Sequence, residues 1–282
     1  MRMIPHAGSI DTSTQQLCDC IMVVEPCGAD VAAETTLGIE YKIAETRQER
    51  EAAFRLVYDS YLRSGLSEPN PWQMRVTPYH LLPTTQVLIA KQGDQVIFTA
   101  SLVADGELGL PMECVYSEEL DVCRARGLWL AEVSCLADRR QHLRGFFPVF
   151  LRLSRLLVQF AMYQGMDGLV AAVHPKHARF YKRYMCFLPM GQQKSYPTVR
   201  HRPAVALWLE FSRFHSELRC HPNYEVFFGE QLPEQQLQPC FMSQAEREYF
   251  GRMIDPSFKL APLGSGELDF GPMVGEPASH VA

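Results

Sequence analysis

The chain has no long hydrophobic run. Its fully apolar stretches, of which Gly168–Val173 is typical, fall far short of the roughly 18 residues that a bilayer-spanning helix needs, so no transmembrane segment is expected. Behind Arg2 only Ile21–Val24 is apolar, too short for the core of a secretory signal, and a cytoplasmic location is expected. Zinc spacing is missing as well. Nine cysteines stand at positions 18, 20, 27, 114, 123, 135, 186, 220 and 240, an odd set whose one C-x-C pair (Cys18 and Cys20) has no second pair and no nearby histidine. Free thiols in a reducing compartment, with no metal, are the expectation. Also lacking are an internal repeat, the Gly-x-Ser-x-Gly elbow of serine hydrolases and any nucleic-acid recognition motif.

The 282 residues, 47% apolar and 21% charged, suit a globular protein with one ordinary domain and extensions, or two small domains. Charge is unevenly spread. Residues 1–40 hold one Arg against six acids and residues 213–282 hold five basic residues against ten acids, which leaves 21 basic against 16 acidic residues, a net +5, for residues 41–212. A basic centre in an acidic chain points to an anionic partner or ligand.

Residues 1–37 show no sustained period and read as a poorly ordered extension. Gly38–Ala44 alternates as a strand. Thr46-x-x-Glu49 is a capping box, after which Ala53, Phe54, Val57 and Tyr61 recur at helical spacing. Four prolines between Pro69 and Pro83 mark a loop with the character of a lid, and Gln86–Ala90 with Gln95–Val103 reads as a β-hairpin. An acidic, turn-rich loop follows, to Gly127. Leu128–Ala137 is a buried strand carrying one acid, Glu132. Pro148 fits the first turn of a helix with Val149, Leu153, Leu156, Leu157 and Phe160 on one face. Gly168–Val173 is a second buried strand, Pro175 opens a helix bearing Phe180-Tyr181, and Val205–Phe211 is a last strand. Residues 213–282 add short helices near Ser243–Met253 and a Gly/Pro-rich tail expected to be disordered.

Glu132-Val133-Ser134, then His174-Pro175-x-His177-x-x-Phe180-Tyr181, then Ala204–Leu209 resemble in order and spacing the long-chain N-acyl amino acid synthases (FeeM-like), relatives of the acyl-homoserine-lactone synthases within the GNAT acyltransferases. The resemblance covers about Tyr41–Phe211. It implies an α/β (α+β) fold: a GNAT-type mixed central sheet, helices on both faces, and a parallel strand pair that splays to admit a thioester arm. It implies an N-acyltransferase of the cytoplasm, of use in lipid signalling, that joins a long-chain acyl group from acyl carrier protein to a free amino acid. The acyl-phosphopantetheine thioester is then a co-substrate, and no separate cofactor is needed. Two departures stand out. The segment after the acid strand, Arg139-Arg140-Gln141-His142-Leu143-Arg144-Gly145, has a single glycine, where a CoA-dependent enzyme has a Gly-rich phosphate nest. Arg139, Arg140 and Arg144 there suit the phosphate and acidic face of a carrier. Cys186 stands where the family pattern has glycine.

The chemistry assigns roles. An α-amine with a pKa of about 8 must lose a proton before it attacks. Glu132, on an otherwise apolar strand, gains basicity by desolvation and can take that proton directly or through water; the competing role is a structural ion pair with a core arginine. Ser134, on the same face, orients amine or water, or is a plain strand serine. A backbone amide near Cys135 holds the oxyanion if the strand bulges there. Tyr181 protonates the leaving thiolate, positions the arm, or packs in the core. His174 and His177 cap a helix or touch substrate. Arg55, with Tyr58 beside it, is a candidate for the acceptor carboxylate, against a solvated helix-face charge. The competing functions are a CoA-dependent acetyltransferase, an acyl-homoserine-lactone synthase and a non-catalytic acyl-phosphopantetheine-binding module.

Overall fold

The computed structural model describes residues 38–140, 143–213 and 224–258, with residues 143 and 144 described by their backbone alone. The expected N-terminal extension, the tail beyond 258 and three cysteines of the N-terminal segment lie outside the described residues. The elements are β1 (Ile39–Ile43), α1 (Arg47–Arg63), β2 (Thr85–Gln92), β3 (Gln95–Ala104), α2 (Glu113–Ala125), β4 (Leu130–Asp138), α3 (Leu143–Tyr163), β5 (Gly168–Val173), α4 (Pro175–Tyr184), β6 (Leu188–Pro189), β7 (Lys194–Tyr196), β8 (Arg202–Glu210), α5 (Tyr224–Phe228) and α6 (Gln244–Gly251).

The strands form one sheet in the order β1-β2-β3-β4-β5-β8-β6, with β7 also on β8. All pairs are antiparallel except β4 with β5. That one parallel pair needs a crossover, which α3 supplies. Val149, Leu153, Leu156, Leu157 and Phe160 of α3 are buried with Leu88, Phe98, Leu102 and Leu169 of the sheet in one core. By length and composition Gly145–Tyr163 is apolar enough to cross a membrane, but most of it is buried within the protein, as befits a core helix. On the other face α1 packs Ala53, Phe54 and Val57 against Val87 and Ile89, after a capping box in which Thr46 accepts from the Glu49 amide.

The structure corrects four local expectations. Residues 113–125 form a helix rather than a loop: Tyr116, Leu120 and Cys123 bury one side, a tertiary gain that the acidic sequence hides. Helix α3 begins at Leu143, so Pro148 is inside it. The proline-rich segment is no lid. Met74, Arg75, Val76 and His80 are buried, and its chain is tied by a parallel bridge from Val76 to Ile254. Arg155 lies opposite the apolar stripe of α3, where the sequence predicts a solvated charge; instead it donates to the Val226 carbonyl at 2.6 Å and pairs with Glu230, which fastens α5 to α3.

Candidate active site

β4 and β5 pair at three positions only, Leu130↔Gly168, Ala131↔Leu169 and Glu132↔Val170, although both strands continue. β5 stays with β8 from Gly168↔Glu210 to Val173↔Val205. The contact is close: a Cβ on Gly168 would lie 2.4 Å from the Leu209 carbonyl oxygen. β4 turns the other way. Thr99 pairs with Ala137 and Ser101 with Ser134, so Ala100 faces both Cys135 and Leu136. This is a β-bulge, and it bends its strand. Cys135 takes φ +50, a left-handed conformation that costs a non-glycine residue about 1–2 kcal/mol. The β5-facing edge of β4 beyond Glu132 is left without a strand partner, and the expected splay is present.

Glu132 sits at the apex of that gap, 3% exposed. Burial pushes its pKa up to about 8, against the opposing effect of a 2.6 Å hydrogen bond donated by the Met112 amide. Met112 is the N-cap of α2, so the positive end of that helix also favours the carboxylate. No arginine or lysine pairs with Glu132 among the described residues, which removes the structural ion pair as its explanation. Tyr61, Tyr79, Tyr196, Cys114 and Cys135 surround it: burial raises each pKa, and the Glu132 charge adds to the rise. Ser134 lies on the same face, with its hydroxyl 3.8 Å from the Cys135 sulfur. Its cross-strand partner Ser101 bonds His80 Nε2 at 3.0 Å. The Thr77 amide donates to His80 Nδ1, so the proton is on Nε2. Burial, aided by Arg75, holds the His80 pKa down at about 3, and the ring is neutral.

The opposite face is apolar. Val133 and Leu136 line a narrow cavity with Leu153, Leu157, Tyr181 and Phe187, of about 20 Å³, room for a single water. Helix α4 brings Tyr181 here. Pro175 is its first residue, and His174 Nδ1 caps it by accepting from the Lys176 amide at 3.3 Å. Burial raises the Tyr181 pKa to about 12, and its ring meets Phe187 edge-on at 5.6 Å. Cys186 adopts φ +58, the left-handed region that favours glycine, and the turn closes as the Phe187 amide reaches the Tyr181 carbonyl. Tyr61 links the two faces, since its hydroxyl lies near Cys135, Tyr181 and Glu132 together.

The structure thus gathers Glu132, Ser134, Cys135 and Tyr181 about the gap. His177 is half-buried, with its pKa lowered to about 4 chiefly by burial, and its ring lies 6.1 Å from that of His174. Arg55 is elsewhere, exposed and donating to the Trp72 carbonyl. Tyr58 is buried, and its hydroxyl accepts the Asn70 amide. Arg139 is exposed, and among the described residues its guanidinium reaches the Val96 carbonyl through Nε. Arg140 corrects the sequence reading: both edges of Asp138 and the Gly145 carbonyl hold it, so it is no free surface charge. The Arg144 side chain lies outside the described residues. Sequence reasoning missed Tyr61, Tyr79, Tyr196, Arg75 and the Met112 amide. Tyr61 falls on the apolar stripe of α1, and the others come from segments with no period.

Residues 52–210, more than half of the chain, match the family described as N-acyl amino acid synthase FeeM. The solved structure of FeeM, an N-acyl amino acid synthase from uncultured soil microbes, is 27% identical, with a TM-score of 0.56 over 64% of this chain and 94% of that one. The acyl-homoserine-lactone synthase LasI is 16% identical, with a TM-score of 0.51 over 70% of this chain and 97% of that one, a likeness of fold. No curated protein sequence matches. A GNAT-type sheet split at a buried glutamate, with that family match across it, makes the chain an amide-forming acyltransferase that belongs to the FeeM family of N-acyl amino acid synthases.

Proposed function

We propose that the protein transfers a long-chain acyl group from an acyl-carrier-protein thioester to the amine of a free amino acid, giving an N-acyl amino acid with a free carboxylate. The observation that carries the reading is Glu132: a buried carboxyl with no cation against it among the described residues, at the apex of the strand gap, with a pKa of about 8, close to that of the α-amine it must deprotonate. The ammonium gives one proton to Glu132, and the nitrogen attacks the thioester carbonyl. The oxyanion faces the free edge of β4 at the bulge. Collapse breaks the C–S bond; in this reading Tyr181 gives its proton to the departing thiolate and takes up the second proton of the attacking nitrogen, leaving a neutral amide, a thiol and a protonated Glu132 that returns its proton to solvent.

The finer assignments rest on separate supports. The apolar cavity opposite Glu132 suits an alkyl chain that parts the α3 and α4 side chains as it enters. Each methylene buried is worth about 0.8 kcal/mol, roughly fourfold in affinity, so a chain of about twelve carbons outcompetes acetyl. The single glycine after β4 and the exposed Arg139 favour a carrier protein over CoA. Purified protein offered the same acyl group on both donors should use the carrier thioester faster, and the preference should weaken at high salt. Equal or better rates on acyl-CoA at every salt concentration would overturn the donor. Extracts of an expressing host should contain new long-chain N-acyl amino acids by mass spectrometry. Soluble protein with no new acylated amine would favour a non-catalytic module.

A further inference from the structure

The family match ends at residue 210, yet the segment beyond it returns to the active face. The Asp255 amide bonds the Val76 carbonyl, and the Asp255 carboxylate receives Arg75 Nη1 at 2.9 Å and the Ser67 hydroxyl at 3.2 Å. Ser257 holds the other oxygen of Asp255 at 2.7 Å. Arg75 is 2% exposed. Its guanidinium carbon lies 4.8 Å from the Tyr61 ring centre and 5.1 Å from that of Phe258. Phe258 also meets Tyr79 edge-on at 6.5 Å. Nη1 serves Asp255 and Ser67, and Nη2 serves the Thr198 carbonyl. Nε has no hydrogen-bond acceptor among the described residues. The guanidinium lies beside Cys135, where its charge and a weak hydrogen bond to the sulfur draw the thiol pKa down against the larger effect of burial, so a thiol is all that an incoming carboxylate would displace there.

A buried N–H of a cation is costly to leave unmet, and this one adjoins the bulge where the acyl carbonyl would sit, on the face that holds Glu132. We propose that Arg75 selects the acceptor by its carboxylate through the Nε edge, with Asp255 of the C-terminal segment holding the guanidinium in place. The half-buried Phe258 ring is the cover that moves for an acceptor to reach it. A guanidinium can serve two carboxylates on separate edges, so Asp255 and the acceptor need not compete. This rests on the amino-acid reading above.

The test pairs each amino acid with its decarboxylated amine (glycine with methylamine, tyrosine with tyramine), using the full chain and one acyl donor. Wild type should favour the amino acid of at least one pair by about a hundredfold in kcat/KM, as expected for a site whose buried polar group is otherwise unmet. Arg75→Lys, whose ammonium is spent on Asp255, should cut that ratio at least tenfold through KM while turnover of the amine persists. An unchanged ratio in Arg75→Lys that still turns over the amine overturns the inference and leaves the amino-acid reading intact. No preference in wild type overturns both. Should Arg75→Lys fail to fold, the wild-type Arg75 Nε–H resonance decides: it should shift with saturating amino acid and stay put with the amine, and no shift with the amino acid overturns the proposal.

Discussion

Glu132 shows how one residue trades stability for chemistry. Glu132→Gln keeps its volume and leaves an oxygen for the Met112 amide, so the fold should persist while turnover falls roughly 10²- to 10⁴-fold, the usual worth of a general base. Full activity in a folded variant would remove Glu132 from the mechanism. A second expectation concerns pH. The native carboxyl holds its proton up to about pH 8, whereas the unfolded one loses it near 4.3. Between those values the native state binds more protons, so this group's contribution to stability falls as pH rises and is lost above about 8. The melting temperature of Glu132→Gln should therefore exceed that of wild type at pH 8–9 and converge with it near pH 4.5. Wild-type kcat/KM should climb to a plateau near pH 8. A variant less stable than wild type at pH 9 would contradict the burial cost.

At the scale of elements, the bulge in β4 and the α3–α4 cavity are the parts to probe. Cys135 holds φ +50, which a β-branched side chain tolerates worst. Cys135→Val should lower the melting temperature and kcat together, whereas Cys135→Gly should hold kcat within about threefold. Equal behaviour of the two would show that the backbone at this point does not matter. Leu157 lines the cavity, and Leu157→Phe should shift the preferred acyl chain shorter, read as kcat/KM across a chain-length series, at a packing cost of about 1–3 kcal/mol. An unmoved optimum would place the chain elsewhere. The elements themselves were largely legible. The capping box, the α3 stripe, Pro175 and the apolar β5 run are local signals. Helix α2 was not, because its stability comes from burying Tyr116 and Leu120 rather than from propensity.

For the whole molecule the family's core is not the full folding unit. Arg50 and Arg75, each 2% exposed, find their carboxylates on Glu246 and Asp255, and Phe250 packs edge-on against Phe54. Removing one partner of a buried pair costs about 3–5 kcal/mol. Asp255→Ala should therefore destabilise the protein by that order in urea titration, and a chain ending at Arg213 should not fold stably. A stable, cooperative unfolding transition in that shortened chain would show that the C-terminal segment is an ornament.

The sequence by itself determined strands β1 to β5 and β8 with helices α1, α3 and α4 in their order, the faces of α1 and α3, and the acid and tyrosine that the gap brings together. Each follows from local periodicity or from a short motif. The tertiary structure alone decided the bulge, because register is a property of two strands and Cys135 is unremarkable on its own. It alone decided that Glu132 has no cation against it among the described residues, that Arg140 is committed to Asp138 while Arg155 clasps α5, and that Arg75 lies between Tyr61 and Phe258, residues nearly two hundred positions apart. Most of these contacts join groups distant along the chain, outside any one window of sequence, and even for Arg140 and Asp138, two residues apart, it is the backbone path that brings the side chains together.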